Sequence, residues 1–401
     1  MIKKEKIKME IKQLKEQFLK LYGGSESDLR VFSAAGRVNL IGEHIDYCGG
    51  KVFPAALNLR TVIVARKNGT DKINLAATTV SDRVTLDINT LDAYKDLKWG
   101  DYQAGVAYVM QQKGYKIVGC DLLYDTTVPF GSGLSSSASI EVATAMTFST
   151  FSKEEGVKDI DLVQLAVLSQ LSENTYNGVN CGIMDQFASS LGKKDMAILL
   201  NCKTLDYKYI PLTLGKYAMV IANCNKPRSL QESKYNERRG EVEEALAILQ
   251  TAIPSATCLA DISVEEFEKH CSLLEGKGRI LDRARHVICE CDRVQKSVVA
   301  LENGDIEEFG KLLNASHYSL RDLYEVTGKE LDALTKYSRE FDGCIGSRMT
   351  GAGFGGCTIS LVKKEKVEEF IAYVNENYTK EIGYSASFYA TSVENGAQEL
   401  K

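Results

Sequence analysis

The most constraining feature of this 401-residue chain is a segment that changes from strand-like to helical across a run of glycines and serines. It reads DLLYDTTVPFGSGLSSSASIEVATAM from Asp121 to Met146, with Gly131 and Gly133 in the loop and an apolar helix predicted from about Ser136. Glycines let backbone N–H groups approach a ligand, and the first turn of a helix adds unpaired donors with a partial positive charge. The segment therefore predicts a cradle for an anion such as phosphate. The alternative is an ordinary serine-capped helix after a flexible turn.

Familiar nucleotide-binding motifs are absent from the sequence or occur in the wrong context. There is no G-x-x-x-x-G-K-[ST] sequence of a P-loop and no H-R-D sequence of a protein kinase. The run GAGFGG, from Gly351 to Gly356, matches G-x-G-x-x-G, but the strand-like CTISLV follows it where a Rossmann fingerprint requires a helix. We interpret this run as a second glycine-rich loop that closes on the same site, with a tight hairpin-like turn as the alternative.

Two carboxylates lie in the segment LSENTYNGVNCGIMDQFASSLG, on either side of a glycine-containing connection. Glu173 falls in the last turns of a helix predicted to begin at Asp161, where an acid opposes the helix dipole. A nearby metal ion would explain this position, and an ordinary surface salt bridge is the alternative. Asp185 lies between Ile183 and Phe187, and a carboxylate in such apolar surroundings is expected to be paired or functional.

A further polar group occupies GRVNLIGEHIDYCGG, residues 36–50. Val38, Leu40 and Ile41 predict a short buried strand, and the flanking glycines predict turns. The ionisable residues of this stretch therefore lie where the chain turns, and they are Arg37, Glu43, His44 and Asp46.

Composition limits the class of protein. With 44% hydrophobic residues and a formal net charge of −5, the chain has the balance of a globular protein without a basic footprint for nucleic acid. The eleven cysteines lack paired C-x-x-C spacing, which favours reduced thiols. The stretch KIKMEIKQLKEQFLKLYGG is an amphipathic helix with acidic residues, unlike a signal peptide, and no apolar run reaches the ~20 residues that a membrane span needs. We expect a cytoplasmic protein with no membrane and no nucleic acid as partner.

Strand-like runs come early in the chain, helical patterns dominate the middle, and strands return at the end. The predicted elements are strands at 61–65, 72–76, 84–88, 357–362 and 387–392 and helices at 232–249 and 366–378. The last two strands, with the helix between them, suggest a strand-helix-strand closure of an α+β domain. A boundary placed within 203–216 divides the chain into two predicted domains, 1–205 and 206–401.

Four of these segments, in this order, resemble the motifs of the GHMP small-molecule kinases and, among them, of the galactokinases. Residues 36–50 resemble the galactokinase signature, VPFGSGLSSSAS the phosphate loop, CGIMDQF the segment with the catalytic aspartate, and GSRMTGAGFGGC the third motif. The resemblance covers essentially the whole chain. It implies an α+β, two-domain GHMP kinase fold with the active site in the cleft between the domains. The implied reaction transfers phosphate from ATP to the anomeric hydroxyl of α-D-galactose, giving α-D-galactose 1-phosphate and ADP.

The resemblance also implies roles for individual residues. Asp185 and Arg37 are the implied catalytic residues. The implied sugar-binding residues are Arg37, Glu43, His44, Asp46, Gly182, Asp185 and Tyr235. The implied ATP-binding residues are Trp99, Gly131, Ser132, Gly133, Leu134, Ser135, Ser136, Ser137 and Gly353, with a core position as the alternative for Trp99. Ser137 and Glu173 are the implied ligands of Mg²⁺, which bridges and neutralises phosphate oxygens.

Departures from the family pattern bear on the sugar. The familiar galactokinase signature has Thr and Asn where this chain has Ile45 and Cys48, which is closer to the N-acetylgalactosamine kinases. Those enzymes carry a glycine run that makes room at C2 of the sugar, whereas Cys181, Gly182 and Ile183 resemble galactokinases. The segment SLQESKYNERR, residues 229–239, also resembles galactokinases. Two pocket segments therefore favour galactose over N-acetylgalactosamine, which stays as an alternative.

A different class of function is a galactokinase-like regulator that senses galactose and ATP with little turnover. The presence of Arg37, Glu173 and Asp185 and the uninterrupted phosphate loop favour an enzyme. We expect a monomer or a weak homodimer.

Overall fold

Helices and strands are mixed along the whole chain in the computed structural model, which describes residues 2–226 and 231–400 and the side chains of 10–226 and 234–400. The helices are α1 (Ile2–Tyr22), α2 (Asp101–Gln112), α3 (Ser136–Glu154), α4 (Leu162–Thr175), α5 (Met184–Leu191), α6 (Gln231–Leu249), α7 (Val264–His270), α8 (Ile280–Glu302), α9 (Ile306–Ser319), α10 (Lys329–Glu340) and α11 (Val367–Ile382). The strands are β1 (Arg30–Asn39), β2 (Lys51–Val52), β3 (Pro54–Lys67), β4 (Lys72–Ala77), β5 (Val80–Asp87), β6 (Cys120–Thr126), β7 (Met196–Asn201), β8 (Tyr207–Pro211), β9 (Tyr217–Asn223), β10 (Cys344–Thr350), β11 (Cys357–Lys363), β12 (Ser387–Thr391) and β13 (Gln398–Leu400). The five strands and two helices predicted between residues 61 and 392 are therefore confirmed, with ends shifted by up to seven residues.

The first sheet has the strand order β13-β1-β3-β6-β4-β5 and is covered on both faces. Side chains alternate along a strand, so neighbouring residues of β1 reach opposite faces. Val31 packs in a cluster with Phe18 of the amphipathic helix α1, whereas Phe32 packs in another cluster with Phe151 of α3. Helix α3, which follows the glycine-rich loop, is thereby fixed against the sheet. None of the helices within the described ranges is long and apolar enough to cross a membrane.

The predicted short strand at residues 38–41 ends earlier than expected. Strand β1 stops at Asn39, which pairs with Pro54 of β3. Leu40 N still donates to Phe53 O at 3.1 Å, but Phe53 N donates to the side-chain oxygen of Asn39 at 3.2 Å and returns no bond to Leu40, so the ladder ends here. Leu40 and Ile41 lie beyond the strand and are buried in the largest hydrophobic cluster. Burial, and not sheet pairing, therefore accounts for their apolar character.

The second sheet has the strand order β10-β11-β9-β12. Strands β11 and β12 both pair antiparallel with β9, so they run parallel to each other on either side of it, and α11 connects them. The predicted strand-helix-strand closure is confirmed, with β9 inserted between its two strands.

The predicted domain boundary at 205 and 206 stays a prediction. In the structure this position lies in the turn between β7 and β8, which pair with each other. The last strand, β13, pairs with β1 of the first sheet, so the C-terminal segment returns to the N-terminal half.

A buried ion pair joins the two halves. Arg348 of β10 is 0% exposed and pairs with the carboxylate of Glu43. Arg348 Nη1 also donates to the carbonyl oxygens of Asn39, at 3.2 Å, and Leu40, at 2.7 Å. Removing one member of a buried pair leaves an uncompensated charge, which costs more than the pair itself contributes. The segment after β1 therefore takes its position from the second sheet.

We expect Arg348→Met to lower the free energy of unfolding by about 3–5 kcal/mol, because the Glu43 carboxylate loses its buried partner. Urea unfolding followed by circular dichroism measures this change. Arg321→Met is the matched control, because Arg321 pairs with Asp322 at the exposed surface and should contribute less than about 1 kcal/mol. Equal losses in the two variants would contradict a special role for the buried pair.

Candidate active site

The centre of the site is an ion pair between β1 and α5. Arg37 Nε and Nη2 donate to the two carboxylate oxygens of Asp185, each at 2.8 Å, so the pair is bidentate. Arg37 Nη1 donates to the carbonyl oxygen of Gly133 at 2.5 Å. Arg37 is 4% exposed, whereas the side chain of Asp185 is 30% exposed. The partner expected for Asp185 is therefore present, and its carboxylate stays accessible to a substrate.

An irregularity in the pairing of β1 with β3 lies next to Arg37. Between the pairs Ala35–Arg60 and Arg37–Ala56, β3 has three residues, 57–59, where β1 has only Gly36, so the bulge is in β3. A Cβ on Gly36 would lie 2.9 Å from the carbonyl oxygen of Leu134, which accepts a hydrogen bond from Arg37 N at 3.2 Å. Because Gly36 has no side chain, the glycine-rich loop can pack directly on the strand that carries Arg37.

The loop before α3 is not closed by a serine cap. Ser135 is the N-cap residue, with φ 60° and ψ 54°, but its side chain accepts no hydrogen bond from the helix. Its Oγ donates instead to Asp185 Oδ2. Gly131 and Gly133 have positive φ values of 71° and 76°, which bend the loop toward the start of α3. The ordinary serine-capped helix is therefore wrong, and uncapped N–H groups at a helix start suit an anion.

The other residues predicted to bind ATP differ in what they can offer. Leu134 and Ser132 are buried, and Ser132 Oγ donates its proton to Pro129 O at 2.7 Å, so neither side chain has an N–H or O–H donor to offer a phosphate. Trp99 packs beside the cluster of α2, α3 and the first sheet, and its buried Nε1 has no partner within the described residues. Its place in an ATP site stays a prediction.

The second glycine-rich loop, residues 351–356, packs against the first. It is the turn between the antiparallel strands β10 and β11, and a Cβ on Gly356 would lie 2.9 Å from the carbonyl oxygen of Ser132. A Cβ on Gly353 would lie 2.2 Å from the carbonyl oxygen of Val326. The segment is thus both a hairpin turn and a loop that closes on the same site. Gly353 itself packs on protein backbone.

Glu43 is buried, 2% exposed, and bonded within the protein. Its Oε1 accepts from Gly351 N at 2.9 Å and Thr350 Oγ1 at 3.1 Å, and its Oε2 accepts from Asn39 Nδ2 at 2.7 Å and pairs with Arg348. Burial raises the pKa of Glu43, and Arg348 acts in the opposite direction. Glu43 therefore links the turn after β1 to the second glycine-rich loop.

His44 is held in a chain of hydrogen bonds. Its Nε2 donates to the carbonyl oxygen of Ala352 at 3.0 Å, so its Nδ1 accepts from the Tyr47 hydroxyl at 2.9 Å. Tyr47 in turn accepts from the Tyr324 hydroxyl at 2.8 Å. Burial, followed by the charge of His286, lowers the pKa of His44 to about 3, so the ring is neutral.

Asp46, Gly182 and Tyr235 lie together beside the central ion pair. A Cβ on Gly182 would lie 2.2 Å from Asp46 Oδ2, so a side chain at residue 182 would displace the carboxylate. The Tyr235 ring lies 5.7 Å from the His44 ring between centroids. Burial and the nearby charges of Asp46 and Asp185 raise the pKa of Tyr235, which keeps its hydroxyl as a donor. Burial also raises the pKa of Asp46, to about 6.

The two departures from the signature are core residues. Ile45 is 0% exposed, Cys48 is 6% exposed, and both belong to the largest hydrophobic cluster. They adjust packing behind the turn and add no polar group to the site. Core packing therefore explains the two signature positions at which this chain resembles the N-acetylgalactosamine kinases.

Glu173 is in the last turn of α4, as predicted, but it is 6% exposed. Its Oε2 accepts from Gln186 Nε2 at 2.6 Å and from Cys181 Sγ at 3.4 Å. Within the described ranges no cation pairs with it, so the surface salt bridge is wrong. Burial and then the charge of Asp185 raise the pKa of Glu173, while a hydrogen bond from Ser137 lowers it. A buried carboxylate beside a hydroxyl offers the hard oxygen donors that Mg²⁺ prefers.

Sequence reasoning missed several residues that shape the site. Arg348 stands in GSRMTGAGFGGC, but a lone arginine gives no indication of a partner three hundred residues away. Gln186 follows Asp185 directly and Glu141 lies in the helix after the phosphate loop. An acid within an apolar helix was the available signal for Glu141, since such an acid needs a partner.

Comparison with known protein families gives three matches along the chain. A family model for the galactokinase galactose-binding signature matches residues 16–67. Models for the N-terminal and the C-terminal domains of GHMP kinases match residues 101–193 and 297–380. The galactose-binding signature, residues 16–67, contains Arg37 and the turn after β1. The match to the N-terminal domain, residues 101–193, contains the glycine-rich loop before α3 and Asp185.

Individual relatives cover nearly the whole chain. The galactokinase of Clostridium tetani is 48% identical over 392 residues, which is 98% of each sequence. The crystal structure of Lactococcus lactis galactokinase complexed with galactose has a TM-score of 0.91 and 39% identity over 97% of this chain and 100% of that chain. The mevalonate kinase of Methanococcus jannaschii, with 20% identity, a TM-score of 0.67 and coverage of 92% and 100%, shows the fold alone. The chain thus belongs to the galactokinase family and has the α+β fold of the GHMP kinases that its motifs predicted.

Proposed function

We propose that this chain transfers the terminal phosphoryl group of ATP to the anomeric hydroxyl of α-D-galactose, giving α-D-galactose 1-phosphate and ADP. The observation that carries the proposal is the accessible carboxylate of Asp185, fixed by Arg37 and Ser135 at the edge of the glycine-rich loop. A phosphate bound on that loop and a hydroxyl bound on Asp185 would be neighbours. Such proximity is the main requirement for phosphoryl transfer.

The proposed sugar site lies between the turn after β1 and α6. Asp46, Gly182 and Tyr235 combine an acceptor, an open backbone and a donor, which suits hydroxyls that both donate and accept. Glu43 and His44 belong to the proposed site at its inner end. Because their polar atoms bond to Gly351, Ala352 and Tyr47 in the free protein, contact with a sugar requires some of these bonds to be exchanged.

In the proposed reaction the anomeric oxygen forms a bond to the γ-phosphorus while the bond from that phosphorus to the bridging oxygen of ADP breaks. Asp185 accepts a hydrogen bond from the anomeric hydroxyl and takes or directs its proton. A loose transition state requires little activation of the nucleophile. Asp185 could therefore act by positioning the hydroxyl or by accepting its proton, and both roles are consistent with the proposed reaction. Arg37 holds the carboxylate in one orientation through two hydrogen bonds.

The proposed ATP site uses the loop and first turn of α3, residues 131–137, with Trp99 toward the base and Gly353 in the facing loop. Ser137 and Glu173 would hold Mg²⁺, which when bound neutralises charge on the phosphates. Within the described residues no three His, Cys, Asp or Glu side chains form a metal cage. This fits Mg²⁺, which takes one or two protein carboxylates and completes its shell with water and phosphate oxygens.

We also propose a cytoplasmic location and a monomer or weak homodimer, with two domains meeting near residue 205 and no nucleic-acid or membrane partner. All eleven cysteines are free thiols, which suits a reducing compartment.

Asp185→Ala should lower kcat by about 10²- to 10⁴-fold, because it removes the group that orients the hydroxyl and accepts its proton. Arg37→Ala should act on the same step, so the double variant should be little worse than the worse single variant. Coupled ADP release measures kcat, and calorimetry checks that ATP still binds. Asp159→Ala, which removes an exposed ion pair with Lys153, should leave kcat unchanged. If Asp185→Ala keeps more than about a tenth of kcat, the catalytic role is wrong.

Galactose should have the highest kcat/KM in a sugar panel. We expect Asp46 and Tyr235 to read the axial 4-hydroxyl against glucose, and Ile183 with its neighbours to leave little room for the acetamido group of N-acetylgalactosamine. Each lost polar contact costs ~1–3 kcal/mol, which corresponds to a roughly 5- to 150-fold lower kcat/KM. Equal values for galactose and N-acetylgalactosamine would favour the alternative kinase. Sugar binding without ADP release would favour the regulator.

Galactose binding should weaken at acid pH through Asp46, whose pKa is raised to about 6. Its ionised form accepts hydrogen bonds from the sugar and prevails above that pH. At about pH 5 only about a tenth remains ionised, so the association constant should fall about tenfold from its value at about pH 7.5. Calorimetry without ATP measures the constant. Asp46→Asn should bind weakly and lose this pH dependence, and an unchanged pH profile would remove Asp46 from the sugar site.

A further inference from the structure

The side chain of Gln186 joins two buried carboxylates. Its Nε2 donates to Glu173 Oε2 at 2.6 Å and to Glu141 Oε2 at 3.1 Å. Gln186 and Glu141 are 0% exposed, and Glu173 is 6% exposed. The amide has two N–H donors and two facing acceptors, so its nitrogen and not its oxygen must point at the carboxylates.

Three helices meet at this amide. Glu141 belongs to α3, Glu173 to α4 and Gln186 to α5. Gln186 is the next residue after Asp185, and successive side chains on a helix point about 100° apart. Helix α5 therefore presents Asp185 to Arg37 on one side and Gln186 to the buried carboxylates on the other.

The contacts on Glu173 are unequal at its two oxygens. The hydrogen bonds from Gln186 and Cys181 both go to Oε2. A carboxylate held at one oxygen keeps a fixed orientation and leaves the other oxygen for a further ligand. Hydrogen bonds of this kind to metal-ligating carboxylates typically change metal affinity by about 10- to 100-fold.

We infer that Gln186 and Glu141 are positioning residues for Glu173: Glu141 fixes the amide of Gln186, and the amide fixes the carboxylate that would hold Mg²⁺ with Ser137. The inference rests on the metal site proposed above. Glu141 acts as a hydrogen-bond acceptor through Oε2, which accepts from Gln186 Nε2, and its Oε1 has no partner within the described residues. Glutamine can supply such an acceptor at residue 141, whereas leucine cannot.

The test measures Mn²⁺ binding to the full chain in the presence of ADP, by electron paramagnetic resonance of free Mn²⁺, alongside galactose binding by calorimetry. Gln186→Leu and Glu141→Leu should weaken Mn²⁺ binding by about 10- to 100-fold. Galactose binding should change by less than about threefold, because Arg37 and Ser135 hold Asp185 from the other side. Glu141→Gln should restore most of the Mn²⁺ affinity. Gln103→Leu, a buried glutamine of α2, is the matched control and should change neither affinity.

Glu173→Gln separates the two proposals. If Glu173→Gln leaves Mn²⁺ binding unchanged, the metal site is wrong and the inference fails with it. If Glu173→Gln weakens binding but Gln186→Leu and Glu141→Leu do not, only the inference fails. Equal losses of Mn²⁺ and galactose affinity would indicate loosening of α5 and would also overturn it. Should Gln186→Leu not fold, the comparison of Glu141→Leu with Glu141→Gln decides, since equal losses in both exclude the acceptor role.

Discussion

The arrangement of the site depends on the hydrogen bonds that the guanidinium group of Arg37 donates. This group is planar and has donors on three nitrogens, and here these bond to both oxygens of Asp185 and to the carbonyl oxygen of Gly133. A strand, a helix and a glycine-rich loop are thereby fixed relative to one another by one buried side chain. Lysine could supply the charge at this position but not the fixed fork, since its ammonium group is a single point charge.

The turn after β1 depends in turn on the second half of the chain. Glu290 of α8 accepts from Gly42 N at 3.0 Å, His286 bonds to the carbonyl oxygen of Glu43 at 3.2 Å, and Arg348 pairs with the Glu43 carboxylate. Although burial acts to raise it, nearby positive charges, that of Arg293 first, lower the pKa of Glu290 to about 2. This turn carries Asp46, so the proposed sugar site exists only when both halves have folded. Each half alone would leave buried polar groups without partners.

Elements and motifs were predictable from the sequence because their signals are local. The alternation along the early strands, the helix after the glycine-rich loop and the helical run that contains Tyr235 are each encoded by residues close together in the chain. Strand β1 shows the limit of this reasoning. Apolar residues 40 and 41 continue its pattern, but the strand ends because Phe53 N bonds to the side chain of Asn39, and the sheet sets that contact. A buried residue in a turn and one in a strand look the same in sequence.

The sequence by itself determined the kinase family, the order of its motifs and the residue types available to the site. Only the tertiary structure decided which groups meet. Arg37 and Asp185 are 148 positions apart, and Gly351 lies 308 positions from Glu43. No local pattern encodes such pairings, because they arise where sheets and helices pack. The same packing turned Glu173 from a surface acid into a buried one and Ile45 from a signature residue into a core residue, since burial is a property of the fold and not of the segment.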